Sequence, residues 1–256
     1  MIKGLYTAAM GMNVQAKRLD VVSNDLANAS TTGYKRDKTT VSSFKDEYLT
    51  RLKDSQHNIP NNERIGKITY GAKIDEVYTD FQQGTLMSTE SNTNVAIQGE
   101  GFFTVQMANG NIGYTRDGSF NVTPNGALVT KEGYAVMGEN GPIQLGENYL
   151  NSGERLTITN TGNIKVGEND IGNRLAMVSF EDPNALQKAA DNLYTGGNPG
   201  AFTGQVLQGY LESSNVNTVD AMVDMIAISR AYETNQKMVQ TQDNILGKTV
   251  NDLGRV

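Results

Sequence analysis

Apolar residues recur every seven positions at both ends of the chain, and the stretch between follows another rhythm. Leu5, Met12, Leu19 and Leu26 make the first row, flanked by Ile2, Ala9 and Ala16. Met225, Tyr232, Val239, Leu246 and Leu253 make the last. A period of seven marks the side of a helix that must find a helical partner. The pattern predicts one helix over about Lys3 to Asn28 and a second over about Thr218 to Leu253, the latter about 50 Å long at 1.5 Å per residue. Gly33, able to take a positive φ, reads as the stop of the first helix. Asn217 reads as the N-cap of the second, with Asp220 in its first turn facing the helix dipole. A second seven-spaced row, Ala231, Met238 and Ile245, widens the apolar face of that helix. Polar Asn235, Gln236, Gln240 and Gln242 interrupt a simple two-stranded seam, as expected of packing among several helices.

Between roughly Ile65 and Leu211 the pattern becomes one of short strands and turns. Asn109-Gly110, Asp117-Gly118, Asn125-Gly126, Glu132-Gly133, Asn140-Gly141 and Thr161-Gly162 follow at close intervals. Asn-Gly and Asp-Gly suit hairpins because the central residues need positive φ. An all-β body of hairpins is the expectation. Asp182-Pro-Asn-Ala-Leu-Gln-Lys-Ala-Ala reads as a short helical insertion. The polar stretch before the body reads as an extended connection, opened by a helical segment at Phe44–Leu52. The predicted fold is therefore mixed α and β and multi-domain. Its parts are an N-terminal helical segment 1–36, a connection 37–64, a β-rich body 65–212 and a C-terminal helical segment 213–256. The two terminal helices are expected to lie side by side as a coiled coil, the row Leu5, Met12 and Leu19 against the row Met225, Tyr232 and Val239.

Composition narrows the function. The 256 residues suffice for a sizeable core. Net charge is −6, which argues against a nucleic-acid partner. Cysteine is absent, so disulfides, thiol nucleophiles and thiolate metal sites are excluded. No stretch has the length of a membrane span, so no membrane insertion is expected, and the N-terminus does not read as a cleaved secretory signal.

Candidate chemistry is thin. His57 is the single histidine, too little for a familiar zinc site or a serine triad. Gly99-Glu-Gly101 lacks the third glycine of a dinucleotide fingerprint. Glu168-Asn-Asp-Ile-Gly matches no EF-hand loop. Asp75, Glu76, Asp80 and Glu100 could in principle supply the carboxylate pair of a glycoside hydrolase, with surface charge as the ordinary explanation. Met10, Met12, Met222 and Met225 read as adaptable packing. No catalytic, cofactor-binding or metal residue is expected. Three classes stay open on these grounds: a self-assembling structural subunit, a β-rich glycan-binding surface module, and a carbohydrate-active enzyme. Only the first predicts heptads at both ends.

Two motifs bring in a family. Asn24-Asp-Leu-Ala-Asn-Ala-Ser-Thr-Thr-Gly-Tyr-Lys35 resembles the signature that opens bacterial flagellar axial proteins. Its motif positions are Asn24, Ala27, Asn28, Thr32, Gly33 and Tyr34. Gly209-Tyr-Leu-Glu-Ser-Ser-Asn-Val-Asn217, with Ser214, Asn215, Val216 and Asn217 at motif positions, is similar to their C-terminal signature, as is Arg230-Ala-Tyr-Glu-Thr-Asn235. Val95 to Val105 and Tyr114 to Phe120 resemble the rod and hook members. The length fits a rod protein, most like the distal rod type, with the proximal type or another hook-basal-body axial protein as the alternative. The resemblance implies a subunit that packs with copies of itself into a hollow tube carrying torque from motor to hook. Leu5, Met12, Leu19, Leu26, Met225, Tyr232, Val239 and Leu246 would form the assembly interface. Neighbouring rod and hook proteins and surrounding ring proteins would be its partners. Its place would be the basal body outside the cytoplasmic membrane, reached by uncleaved type III export.

Overall fold

The structure is a computed structural model; it describes residues 2–44, 47–50, 64–146, 149, 155–167 and 169–253. Two long helices bracket a set of short strands. Helix α1 spans Ile2–Ala27 and helix α2 spans Thr218–Leu253. Both follow the heptad rows to within a residue or two of the expected ends.

The chain divides into two compact units. One comprises Met1–Leu26, Asp37–Tyr78 and Thr218–Val256; the other comprises Ala27–Arg36 and Thr79–Asn217. The expected 65–212 body is therefore drawn differently. The strands Arg64–Ile68 and Ala72–Thr79 group with the helices, and residues 27–36 group with the β unit.

In the helical unit, α1 and α2 run antiparallel and close together. A Cβ on Gly4 would lie 3.4 Å from the Gln242 amide nitrogen, and one on Gly11 would lie 3.0 Å from that of Asn235. Seven residues forward on one helix thus matches seven back on the other. Two of the polar residues that interrupt the heptad of α2, Asn235 and Gln242, sit where α1 has no side chain. Ala8, Val14, Ala221 and Ile228 are the buried apolar residues of the two helices.

The same unit holds two small two-stranded sheets. Strands Asp37–Ser43 and Ala72–Thr79 make one, and Glu47–Thr50 with Arg64–Ile68 makes the other. Residues 47–50 are a strand, not the helix expected over Phe44–Leu52, because they pair with 64–68 from Glu47↔Ile68 to Thr50↔Arg64. The first sheet meets α1: the Thr7 hydroxyl donates to the Tyr70 carbonyl at 3.2 Å, and the Asp37 amide donates to Asp25 Oδ1 at 3.1 Å. His57 and Glu168 lie outside the described residues.

The β unit is built around Phe102–Gln106. This strand pairs antiparallel with Ile112–Thr115 on one edge. Its other edge is shared by Ala135–Gly138 and Met177–Ser179. Alternation along these strands delivers Phe103, Val105 and Val136 to one core, with Ile97, Phe120, Leu128, Ile143, Ile164 and Val206. A separate aromatic cluster of Phe102, Phe180 and Tyr194 packs edge-to-face with Phe81 and Tyr114. The insertion after Asp182 is a single 3-10 turn, Pro183–Ala185, that runs straight into strand Leu186–Lys188. Proline permits the turn, but the pairing of Leu186–Lys188 with Tyr194–Gly196 takes over before a helix can grow.

Candidate functional site

Eight residues of the heptad rows, Leu5, Met12, Leu19, Leu26, Met225, Tyr232, Val239 and Leu246, are all half-buried within the single chain. Each keeps apolar surface available. On its other side, α2 carries a stripe that nothing in its own unit covers. Val219, Met222, Val223 and Ile226, at i, i+3, i+4 and i+7, are 67%, 52%, 61% and 55% exposed. Met238, Ile245 and Val250 extend exposed apolar surface toward the far end of the helix. An α-helix puts residues at these spacings on one face, so a single chain presents two apolar sides of α2 at once. Such a face, left in water, marks an interaction surface.

The motif residues do something else: most of them tie the β unit together. Asn24 is exposed on α1, Ala27 ends that helix, and Asn217 is exposed just before α2. Asn28 accepts from the Thr31 amide at 3.0 Å and closes the turn after α1. Thr32 offers its carbonyl to Asn192 Nδ2 at 3.1 Å, and its hydroxyl accepts from Lys131 at 3.4 Å. Tyr34 is buried beneath the Lys188 ammonium, which lies 4.1 Å from the ring centroid. Asn215 bridges three segments: its Oδ1 accepts from the Arg36 amide at 2.8 Å, and its Nδ2 donates to the carbonyls of Asp80 and Gln82 at 2.8 and 3.2 Å. Ser214 is buried and accepts from the Val216 amide at 3.3 Å.

Gly33 does adopt positive φ, at +67°, but it is not the stop of α1, which ends six residues earlier. Its reason is close approach. A Cβ there would sit 2.5 Å from the Asp117 amide nitrogen and 2.6 Å from the Arg116 carbonyl carbon. The Gly33 amide meanwhile donates to the Glu212 carbonyl at 2.8 Å.

At the centre of this knot lies an ionic group that pattern reading missed. Lys35 Nζ is 2.5 Å from Glu212 Oε1, and Arg116 Nη1 is 3.4 Å from Glu212 Oε2. Lys35, Arg116 and Glu212 are buried, at 0%, 4% and 1% exposure. Lys35 also donates to the Gln82 carbonyl at 2.7 Å, and Arg116 to the Gly99 carbonyl at 2.9 Å. Burial pushes both cations below their ordinary pKa, and Glu212 pulls each back only in part. Arg36 and Asp80 add a peripheral ion pair at 3.2 Å. The only sequence hint was that one motif ends in a lysine and the other contains a glutamate.

The carboxylates considered for hydrolysis do not make a site. Asp80 is taken by Arg36, and Asp75 sits 3.6 Å from Lys73, both exposed. Glu100 lines a shallow open groove with Gln98, Gly99 and Thr203. Among the described residues no three His, Cys, Asp or Glu side chains gather as a metal would require. No described helix is long and apolar enough to cross a membrane.

A β unit tied shut by its own motifs, with long helices bearing uncovered apolar faces, defines a structural protein. Comparison with known proteins specifies the kind. Residues 5–35 match the family described as flagella basal body rod protein. Residues 96–166 match the flagellar hook protein FlgE/F/G D1 domain, and residues 207–253 the flagellar basal body rod FlgEFG protein C-terminal family. The flagellar basal-body rod protein FlgG of Buchnera aphidicola subsp. Schizaphis graminum is 35% identical, over 97% of this chain and 98% of its own length. That of Borreliella burgdorferi is 35% identical over 96% and 97%. The flagellar hook-basal body complex protein FlhO of Bacillus subtilis is 29% identical over the whole of both chains. The chain belongs to the flagellar basal-body rod protein family, and within it is most like the distal rod protein. It is a structural component of the motility apparatus, not an enzyme.

Proposed function

We propose that this chain is a subunit of the distal flagellar rod that polymerises through its terminal helices into a hollow tube transmitting torque from motor to hook. The observation that carries the reading is the doubly apolar α2. One side lies along α1, where Gly4 and Gly11 meet Gln242 and Asn235, and the Val219–Ile226 stripe remains uncovered. In this reading α1 and α2 pair as an antiparallel coiled coil, and the uncovered stripe packs on the helices of another copy. Its other partners are the neighbouring rod and hook proteins and the rings around the wall. The chain reaches the basal body, beyond the cytoplasmic membrane, by type III export without cleavage. The nearly full-length likeness to proteins named FlgG favours the distal over the proximal type.

The absence of cysteine allows a clean test. Met222→Cys introduces a thiol on the exposed stripe. Treating isolated basal bodies with a short thiol cross-linker, with a second cysteine at exposed Tyr6, is expected to give dimers and higher oligomers of this chain. The dilute chain should stay monomeric under the same treatment. Basal bodies that yield only monomer, with both thiols consumed, would remove this face from the assembly.

A further inference from the structure

Glu212 is held by three parts of the chain besides its own strand. Its carbonyl accepts from the Gly33 amide at 2.8 Å, and its Oε1 accepts from Lys35 at 2.5 Å and the Gly84 amide at 2.9 Å. Its Oε2 accepts from Arg116 at 3.4 Å. Among the described residues it is the one carboxylate in ion-pairing distance of either buried cation. It arrives last. Lys35 and Arg116 lie 177 and 96 positions before it, and strand Tyr210–Glu212 closes the unit by pairing with Leu86–Ser88.

We propose that Glu212 is a completion switch for folding. The β unit closes over Lys35 and Arg116 only when its final strand delivers the carboxylate that neutralises them. The physical ground is an asymmetry. A buried ion pair gains little over an apolar substitute, but a buried charge without its partner is strongly unfavourable. Before residue 212 is present, closing the unit would place two cations in a low-dielectric interior with no anion. The cations keep their water, and the segments around them stay open. Folding is therefore ordered: a chain synthesised or delivered N-terminus first does not shut its β unit until almost all of it is available. The switch acts within one chain and holds whether or not copies polymerise.

Glu212→Gln keeps the shape and one acceptor oxygen while removing the charge. The test is stopped-flow refolding and unfolding of the full chain, read by the fluorescence of its eleven tyrosines. If the carboxylate must be in place as the unit closes, refolding slows at least about tenfold, and more than half of the lost stability appears in the refolding rate. A loss carried mainly by faster unfolding, or no loss, would overturn the proposal, because the triad would then form after the barrier or not matter. If Glu212→Gln does not refold at all, the triple variant Lys35→Met, Arg116→Met, Glu212→Leu decides. Recovery of the native tyrosine signal supports charge completion. Failure to recover would overturn it, since position 212 would then be needed for shape and not for charge.

Discussion

Gly33→Ala is expected to cost the β unit about 4 kcal/mol, a large share of the stability of an ordinary domain. Two costs add. An L residue at φ +67° loses about 1 kcal/mol relative to glycine. The added methyl group would also lie 2.5 to 2.8 Å from the backbone of Arg116 and Asp117, atoms that cannot rotate aside. Gly110→Ala separates the two. Gly110 has φ +82° but nothing within 4 Å of its would-be Cβ, so that variant should lose only about 1 kcal/mol. Urea unfolding of both variants, followed by tyrosine fluorescence, checks the difference. Equal midpoints would mean that the backbone of Arg116–Asp117 yields, and that the motif glycine serves only its own φ.

The second large effect falls on assembly. Leu19→Asp or Val239→Asp puts a carboxylate on a heptad row that is already half-buried in the lone chain and more so in the proposed polymer. Burying an unpaired carboxylate costs several kcal/mol, or a similar amount to protonate it. The penalty recurs at every subunit of a helical array, so a modest loss per contact stops growth. The β unit has its own core, from Val95 to Val206, and should fold. Cells carrying either substitution are expected to make soluble protein yet lack hooks and motility. Motile cells with normal hooks would show that these rows are not an assembly interface.

The two predictions touch parts of the molecule that were unequally legible. The helices were plain because seven-spaced side chains report a helix from local sequence alone. The β character of the middle was plain for a similar reason: glycine turns such as Asn109-Gly110 are local chemistry. Grouping was not local. Asp37–Ser43 carries a single apolar residue, and Val41, Val77 and Tyr78 of the two strands are exposed, so nothing marked them as companions of α1. The motif positions could be named from the sequence, but the work of Gly33 was misread, since its constraint comes from Arg116 and Asp117, more than 80 residues away. Lys35, Arg116 and Glu212 left no periodic trace at all, because an ion pair spanning 177 residues is visible only once the chain is folded. The uncovered stripe Val219–Ile226 lies on the side of α2 away from its heptad row, and its exposure shows only once the helix is placed among its neighbours.

The most direct measurement is cryo-electron microscopy of basal bodies isolated from cells whose only copy of this chain is the one described, at a resolution that resolves side chains. A tubular rod segment built of this chain is expected. In it α1 and α2 line the channel as antiparallel pairs, Val219, Met222, Val223 and Ile226 are covered by helices of neighbouring copies, and the β unit lies in the wall outside. Density for this chain with the stripe still facing solvent, or with the β unit lining the channel, would contradict it.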